Sequence, residues 1–224
     1  QQVNQCLYTN TFAPTQLAFL CKQLNVKFIH FSSDYVFQRS NSKLPFLENS
    51  IKNPSGIYSI SKALSEDQIL LCNSAALIIR TSWIYSAYGH NFVKTMINLA
   101  KNNDELKVVC DQIGCPTYAA NIAKLLIDII QHETRHNDFL NGLYNFTDFG
   151  STTWFEFSLK IFEFTNQKIK VIPISTQEFG AAAPRPSFSV LNCTKIVDKL
   201  GIQIPSWTSS LNTCIEKLRG NEFF

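Results

Sequence analysis

An α/β fold on a parallel sheet, with a smaller α/β lobe appended, is what this sequence predicts, and three patterns predict it. Short apolar, β-branched runs recur along the chain, as in VKFIHF, AALIIR and GLYNF. Longer stretches between them carry apolar residues at i, i+3, i+4 and i+7. The runs read as strands buried on both faces and the stretches as helices covering them, so their alternation points to parallel pairing. From about residue 147 the chain turns aromatic and Pro-rich, which sets the second lobe apart.

The opening QQVNQCLYTNTFAPTQLAF reads as a helix already in progress. Residues 14–24 continue it, with Leu17, Leu20, Cys21 and Leu24 at helical spacing and Pro14 tolerated in a first turn. Residues 26–31 are β-rich and end in Ser32-Ser33-Asp34. A loop containing Pro45, Asn49 and Pro54 leads to a helix over about 57–73, then a strand at 75–80 closes with Thr81-Ser82-Trp83. Phe92, Met96 and Leu99 mark a helix, and 106–109 a strand. Ile122, Leu125, Leu126, Ile129 and Ile130 form an apolar stripe on a helix over 119–131. Residues 142–146 and 169–174 read as strands. Between them Thr153-x-x-Glu156 is a capping box opening a helix to about 165. Two short helical segments flank Gly201 and Pro205.

With 224 residues, 45% of them hydrophobic and 17% charged, the chain has material for a core and is not disordered. Its 18 Phe fall at strand and helix spacings, which suits core packing. A net charge of +3 without a Lys/Arg run argues against a nucleic-acid partner. Seven Cys, an odd number with no CxxC, several of them inside apolar helix patterns, suit reduced thiols and a cytoplasmic protein. No apolar stretch reaches the roughly 18–20 residues of a membrane span, and no signal-peptide segment opens the chain.

Ligands of open α/β sheets bind at the carboxyl ends of strands, where Ser32, Ser33, Asp34 and Trp83 stand. Tyr58-Ser-Ile-Ser-Lys62 places a phenol and an ammonium one turn apart on a helix face. A phenol holds its proton too tightly for exchange near neutrality, and a neighbouring cation lowers its pKa. Tyr58 can then act as a general acid towards a carbonyl oxygen as hydride arrives at carbon, and a Ser hydroxyl can stabilise the charge developing on that oxygen. YxxxK alone is a weak signal in a chain with 7 Tyr; a Ser at a strand end upstream sharpens it.

Six blocks carry a resemblance: HFSSDYVF, PSGIYSISKALSE, RTSWIYSAYGHNFVKTM, DQIGCPTYA, GLYNFTDFGSTTWFEF and RPSFSVL. In order and spacing they resemble the dTDP-4-dehydrorhamnose reductases, members of the extended short-chain dehydrogenase/reductases. The resemblance implies a Rossmann-like parallel sheet, NADPH as cofactor, a dTDP-sugar as substrate, and reduction of the C4 ketone of dTDP-4-dehydro-β-L-rhamnose. It implies catalytic roles for Ser33, Tyr58 and Lys62, with Tyr58, Lys62 and Ser32 beside the cofactor. Ser33 stands where the family most often has Thr; the hydroxyl survives the change. Asp34 and Tyr35 fall in a substrate-contacting segment, and Trp83 on an aromatic that packs against the sugar. Asn91, Gln112, Thr117 and Arg185 lie in motifs lining the sugar-nucleotide side, and the guanidinium of Arg185 suits a pyrophosphate. Read without the resemblance, Trp83 is a core residue, Asp34 a turn cap and Arg185 a surface ion-pair partner. Residues 111–114 are then a strand-to-loop transition.

By the same resemblance, residues 1–83 and 107–147 belong to the dinucleotide-binding domain, and 84–106 and 148–224 to the sugar-nucleotide lobe. A family member opens with a strand, a Gly-rich turn and a helix that cradle the dinucleotide pyrophosphate. No GxxGxxG occurs here, so the sheet is expected to lack its first strands and the chain to be a fragment. The strand at 28–31 should then be an exposed edge, and the chain alone should bind NADPH poorly, be inactive and aggregate. NADH in place of NADPH, a Mg2+ requirement and a homodimer are left open.

Two other readings compete. A non-catalytic regulatory subunit of the methionine adenosyltransferase type shares SSDYVF, but RTSWIY, NFVKTM and DQIGCPTY resemble the reductase; a sister nucleotide-sugar reductase is the other. His132-Glu133-Thr-Arg-His136 matches the zinc-protease HExxH. It sits past the apolar stripe, where the helix should give way to a polar loop, with His30 in a strand and only His90 besides, so no metal is expected there.

Overall fold

The computed structural model describes residues 2–38, 43–181 and 183–220. Two helices, α1 (Gln2–Leu7) and α2 (Ala13–Gln23), run together through a π turn at Tyr8–Phe12. Pro14 has no N–H for the carbonyl of Asn10, and its ring would crowd that carbonyl. The wider turn just before it accommodates both, with the Ala13 N–H reaching back to Tyr8. Then come β1 (Ile29–Ser33), a 3-10 turn (Asp34–Phe37), α3 (Ile57–Cys72), β2 (Leu77–Thr81), β3 (Ile84–Tyr85) and α4 (Phe92–Ala100). β4 (Glu105–Val109), β5 (Ile113–Gly114), β6 (Thr117–Tyr118) and α5 (Ala119–His136) follow. The rest is β7 (Gly142–Asn145), β8 (Thr152–Thr153), α6 (Trp154–Thr165), β9 (Lys170–Ile174), α7 (Thr176–Phe179), α8 (Thr194–Leu200) and α9 (Trp207–Gly220).

The chain divides into two compact units, the first comprising the described residues of Gln1–Thr81, Leu125–Phe146 and Ala183–Ile202. Its sheet has the order β1-β2-β7, parallel throughout, in register Ser33↔Thr81 and Arg80↔Asn145. β2, buried along its whole length, is the centre. Ile78, Ile69, Ala76 and Ala18 pack together beneath it. Among the described residues β1 pairs with β2 alone, so its outer edge is open, and Phe31 remains 36% exposed. The stripe Leu17, Leu20 and Leu24, which the spacing would bury, is exposed instead. α2 meets α3 through its small residues: Ala18 is fully buried and its carbonyl accepts from Asn73 Nδ2 at 2.9 Å.

The second unit comprises the described residues of Ser82–Lys124, Thr147–Ala182 and Gln203–Phe224. It is made of two-stranded pieces, β4 with β9 and β3 with β6 in parallel, β5 with β8 antiparallel. Tyr85, Ile97, Phe157, Ile161, Leu211 and Ile215 form its core. The capping box is built as the sequence indicates: Glu156 N–H donates to Thr153 Oγ1 at 3.1 Å, and Thr153 N–H to Glu156 Oε2 at 3.0 Å.

Two segments fall in other units than the sequence suggests. Residues 107–124 join the second unit because β4 pairs with β9, and 183–202 join the first, where Phe46 bridges Leu191. The helix α5 also runs on through the HExxH segment in place of yielding to a loop. His132 and His136 lie ring to ring at 4.6 Å, with Asp138 3.6 Å from His132. Among the described residues no three His, Cys, Asp or Glu side chains are grouped to hold a metal ion. No described helix is long and apolar enough to cross a membrane.

Candidate active site

β1 delivers Ser33 to its carboxyl end in extended conformation, φ −136° and ψ 152°. There the side chain caps the 3-10 turn, accepting from Tyr35 N–H at 3.2 Å and donating to Asp34 Oδ1 at 3.0 Å. Gly56, with φ +89°, turns the chain into α3. α3 carries Tyr58 towards Ser33, near enough for the Ser33 hydroxyl to act on the phenol. Tyr35 packs edge-on against Tyr58 with ring centroids 5.8 Å apart. Ser33, Asp34, Tyr35 and Tyr58 thus meet at one strand end, and Arg185 is near enough for its charge to act on Tyr35.

Asp34 is 3% exposed. Burial pushes its carboxyl up to about 6, against the pull of the nearby Ser189 and Ser33 hydroxyls; Ser33 donates to Oδ1, and Oδ2 has no hydrogen-bond partner among the described residues. Ser189 lies in the RPSFSVL block, and only the fold brings it to Asp34. Gln38 ties the neighbouring segments together: its Nε2 donates to Pro184 O, and its Oε1 accepts from Ser55 N–H at 3.2 Å and Ser59 Oγ at 2.7 Å.

Lys62 stands one turn beyond Tyr58, but its ammonium does not lower the phenol pKa as the motif suggests. Lys62 Nζ donates to Phe31 O at 2.5 Å and lies 3.4 Å from His30 Nε2. β2 takes the carbonyl of Phe28, so by strand alternation that of Phe31 faces the open edge, where Lys62 satisfies it. With Lys62 so engaged, burial dominates and the Tyr58 phenol is raised. Burial also lowers Lys62, with Glu66 opposing, and holds His30 at about 4.

Beneath this corner is a buried ion pair that the sequence did not flag. Glu66, fully buried, takes Arg80 Nε at 2.8 Å and Nη2 at 2.7 Å. Ser32, facing the opposite side of β1 from Ser33, donates to Glu66 Oε1 at 2.5 Å. The hydroxyl expected beside a cofactor is therefore spent inside the fold. A charge closing the apolar run AALIIR was the available signal.

The remaining residues are in the second unit. Trp83 has a left-handed backbone, φ +45°, and stacks on Trp154 with centroids 3.5 Å apart and planes within 9°. Asn91 caps α4, accepting from Lys94 N–H at 3.3 Å and donating to Ser86 O at 2.7 Å. Gln112, 3% exposed, donates to Thr176 Oγ1 at 2.9 Å, beside Asp111, which takes the same hydroxyl at 2.6 Å. Thr117 is wholly buried, its N–H donating to Trp83 O at 3.2 Å. The polar groups of these three hold loops and helix starts in place. Trp83 alone of the four is a half-buried surface without such a duty.

The sequence profile of the RmlD substrate-binding domain matches residues 1–220. A dTDP-4-dehydrorhamnose reductase of Sinorhizobium fredii is 38% identical over 87% of this chain and 67% of its own length; one from Aggregatibacter actinomycetemcomitans is 38% identical over 94% and 73%. A dTDP-4-dehydrorhamnose reductase of Bacillus anthracis, solved in complex with NADP, superposes with a TM-score of 0.86 at 37% identity, covering 93% of this chain and 72% of that one. Its Clostridium acetobutylicum counterpart gives 0.90 at 33%, covering 97% and 75%. With its parallel α/β sheet and a profile match along nearly its whole length, the chain belongs to the dTDP-4-dehydrorhamnose reductase family.

Proposed function

We propose that this chain carries the acid–base chemistry of an NADPH-dependent reduction, that of the C4 ketone of dTDP-4-dehydro-β-L-rhamnose to dTDP-L-rhamnose. What supports the reading most is the meeting of the Ser33 and Tyr58 hydroxyls at the carboxyl end of β1, with Tyr58 still 45% exposed. A ketone oxygen received there has two hydroxyl donors. Tyr58 gives up its proton to that oxygen, and Ser33 stabilises the charge while it develops. When bound, NADPH supplies the hydride. Tyr58 and Lys62, on one face of α3, fit its nicotinamide-ribose end. For the pyrophosphate the described residues offer no Gly-rich helix start. In the second unit Trp83 belongs to the sugar-nucleotide side, as does Arg185 in the first.

The test is NADPH oxidation with dTDP-4-dehydro-β-L-rhamnose. Tyr58→Phe removes only the proton donor and lowers turnover about 10²–10⁴-fold, the usual worth of a positioned acid. An unchanged rate would refute the assignment.

A further inference from the structure

Trp83 is held more firmly than a surface aromatic needs to be. A Cβ built on Gly114 would stand 2.5 Å from Trp83 Cε2, 2.6 Å from Nε1 and 2.7 Å from Cζ2. The nearest of these is the ring-fusion atom. A neighbour approaching in the plane of the ring would come closer to Nε1 or Cζ2, so Gly114 lies over the face of the indole. Trp154 stacks on Trp83 at 3.5 Å with planes nearly parallel. It cannot share that face with Gly114, because its ring would then be nearer the built Cβ than Trp83 is. One face is therefore closed by Trp154 and the other by Gly114.

Both walls are fixed. Gly114 is pinned in β5 by its pairing with Thr152, and Trp154 opens α6 against Phe92 at 4.5 Å. The Trp83 backbone is held as well, Ser82 Oγ donating to Cys115 O at 2.8 Å and Thr117 N–H to Trp83 O at 3.2 Å. A left-handed backbone at a bulky residue is kept only where its surroundings over-determine it. Among the described residues the Trp83 Nε1–H has no hydrogen-bond partner, while the side chain is half-buried and not sealed.

We propose that Gly114 and Trp154 are positioning residues that close both faces of the Trp83 indole, so that a sugar nucleotide meets Trp83 at its rim, through the Nε1–H, and not by stacking. The clamp stands on geometry alone; the ligand rests on the functional reading given above. A rim donor discriminates by the placement of one acceptor, a hydroxyl or phosphate oxygen, where a stacking face would accept any apolar ring surface.

The clamp is tested without ligand or turnover, by the indole ¹H–¹⁵N resonance of Trp83, assigned through its loss in Trp83→Phe. Lying over Trp154, that N–H resonates upfield of a free indole. Trp154→Leu and Gly114→Ala each return it towards the free position, the second because its methyl expels the ring. A Gly114→Ala chain with the resonance unmoved overturns the clamp. For the ligand, dTDP-L-rhamnose is titrated into the chain and into a variant with β-(3-benzothienyl)alanine at position 83, which keeps the ring and lacks the N–H. Loss of one hydrogen bond weakens binding about tenfold. Equal affinity overturns rim recognition. If the parent chain fails to bind, the sugar-nucleotide reading falls with it, while the resonance still decides the clamp.

Discussion

Asp34 carries the clearest consequence of burial at a single residue. Its carboxyl and that of Asp148 are both raised from 3.8 to about 6 by the loss of water around them. A carboxyl raised on folding binds its proton more tightly in the folded state, so it erodes stability as pH climbs from about 4 to about 6 and no further. His30 works the other way. It is lowered from 6.5 to about 4, so the unfolded chain holds the extra proton in that window and stability grows with pH. Asp34→Asn removes one falling contribution and His30→Gln the rising one. Urea midpoints followed by circular dichroism between about pH 4 and pH 6 should fall less steeply than the parent's in Asp34→Asn, and more steeply in His30→Gln.

Between elements, α3 and β2 are joined by Glu66 and Arg80, both buried. Glu66→Gln leaves a buried guanidinium without its counter-charge and should cost about 3–5 kcal/mol, read as a lowered urea midpoint at constant m-value. The loss should be smaller in Glu66→Gln/Arg80→Met, because the second change removes the stranded charge. The start of α6 makes a milder case. Thr153→Ala frees the N–H of Glu156 and should cost about 1 kcal/mol, with Thr153→Ser restoring most of it. At the start of α3, Gly56 has open space where a Cβ would go but a φ of +89°. Gly56→Ala is therefore opposed by backbone strain and not by crowding.

For the molecule as a whole, the consequence lies in its apolar surface. Leu17 and Leu20 on α2 and Leu24 at its C-cap are exposed, and β1, which carries Phe31, presents an open edge. Unpaired strand edges and contiguous apolar stripes promote association. Light scattering should show the chain associating with rising concentration, and Leu20→Glu/Leu24→Glu should shift that onset upward several-fold while leaving the circular dichroism unchanged. A doubly charged variant that associates like the parent would place the sticky surface elsewhere.

The sequence by itself determined the βα alternation, the capping box at Thr153, and the strand end bearing Ser33 with Tyr58 a helix away. Each depends on neighbours within a few residues or on a period that an element imposes on its own side chains. Which face an element buries was decided elsewhere. The stripe on α2 was legible, but its burial depends on what packs against it, and α3 takes Ala18. The partner of β4 could not be read from residues 105–109, since a short apolar strand pairs equally well with many others. The direction of the Tyr58 shift escapes spacing for the same reason: Lys62 stands one turn from Tyr58, but the open edge of β1 claims its ammonium. The Glu66–Arg80 pair, Ser189 beside Asp34, and the closing of Trp83 between Gly114 and Trp154 join residues distant in sequence. Only the tertiary structure decided them, because burial and hydrogen-bond satisfaction are properties of surroundings and not of spacing.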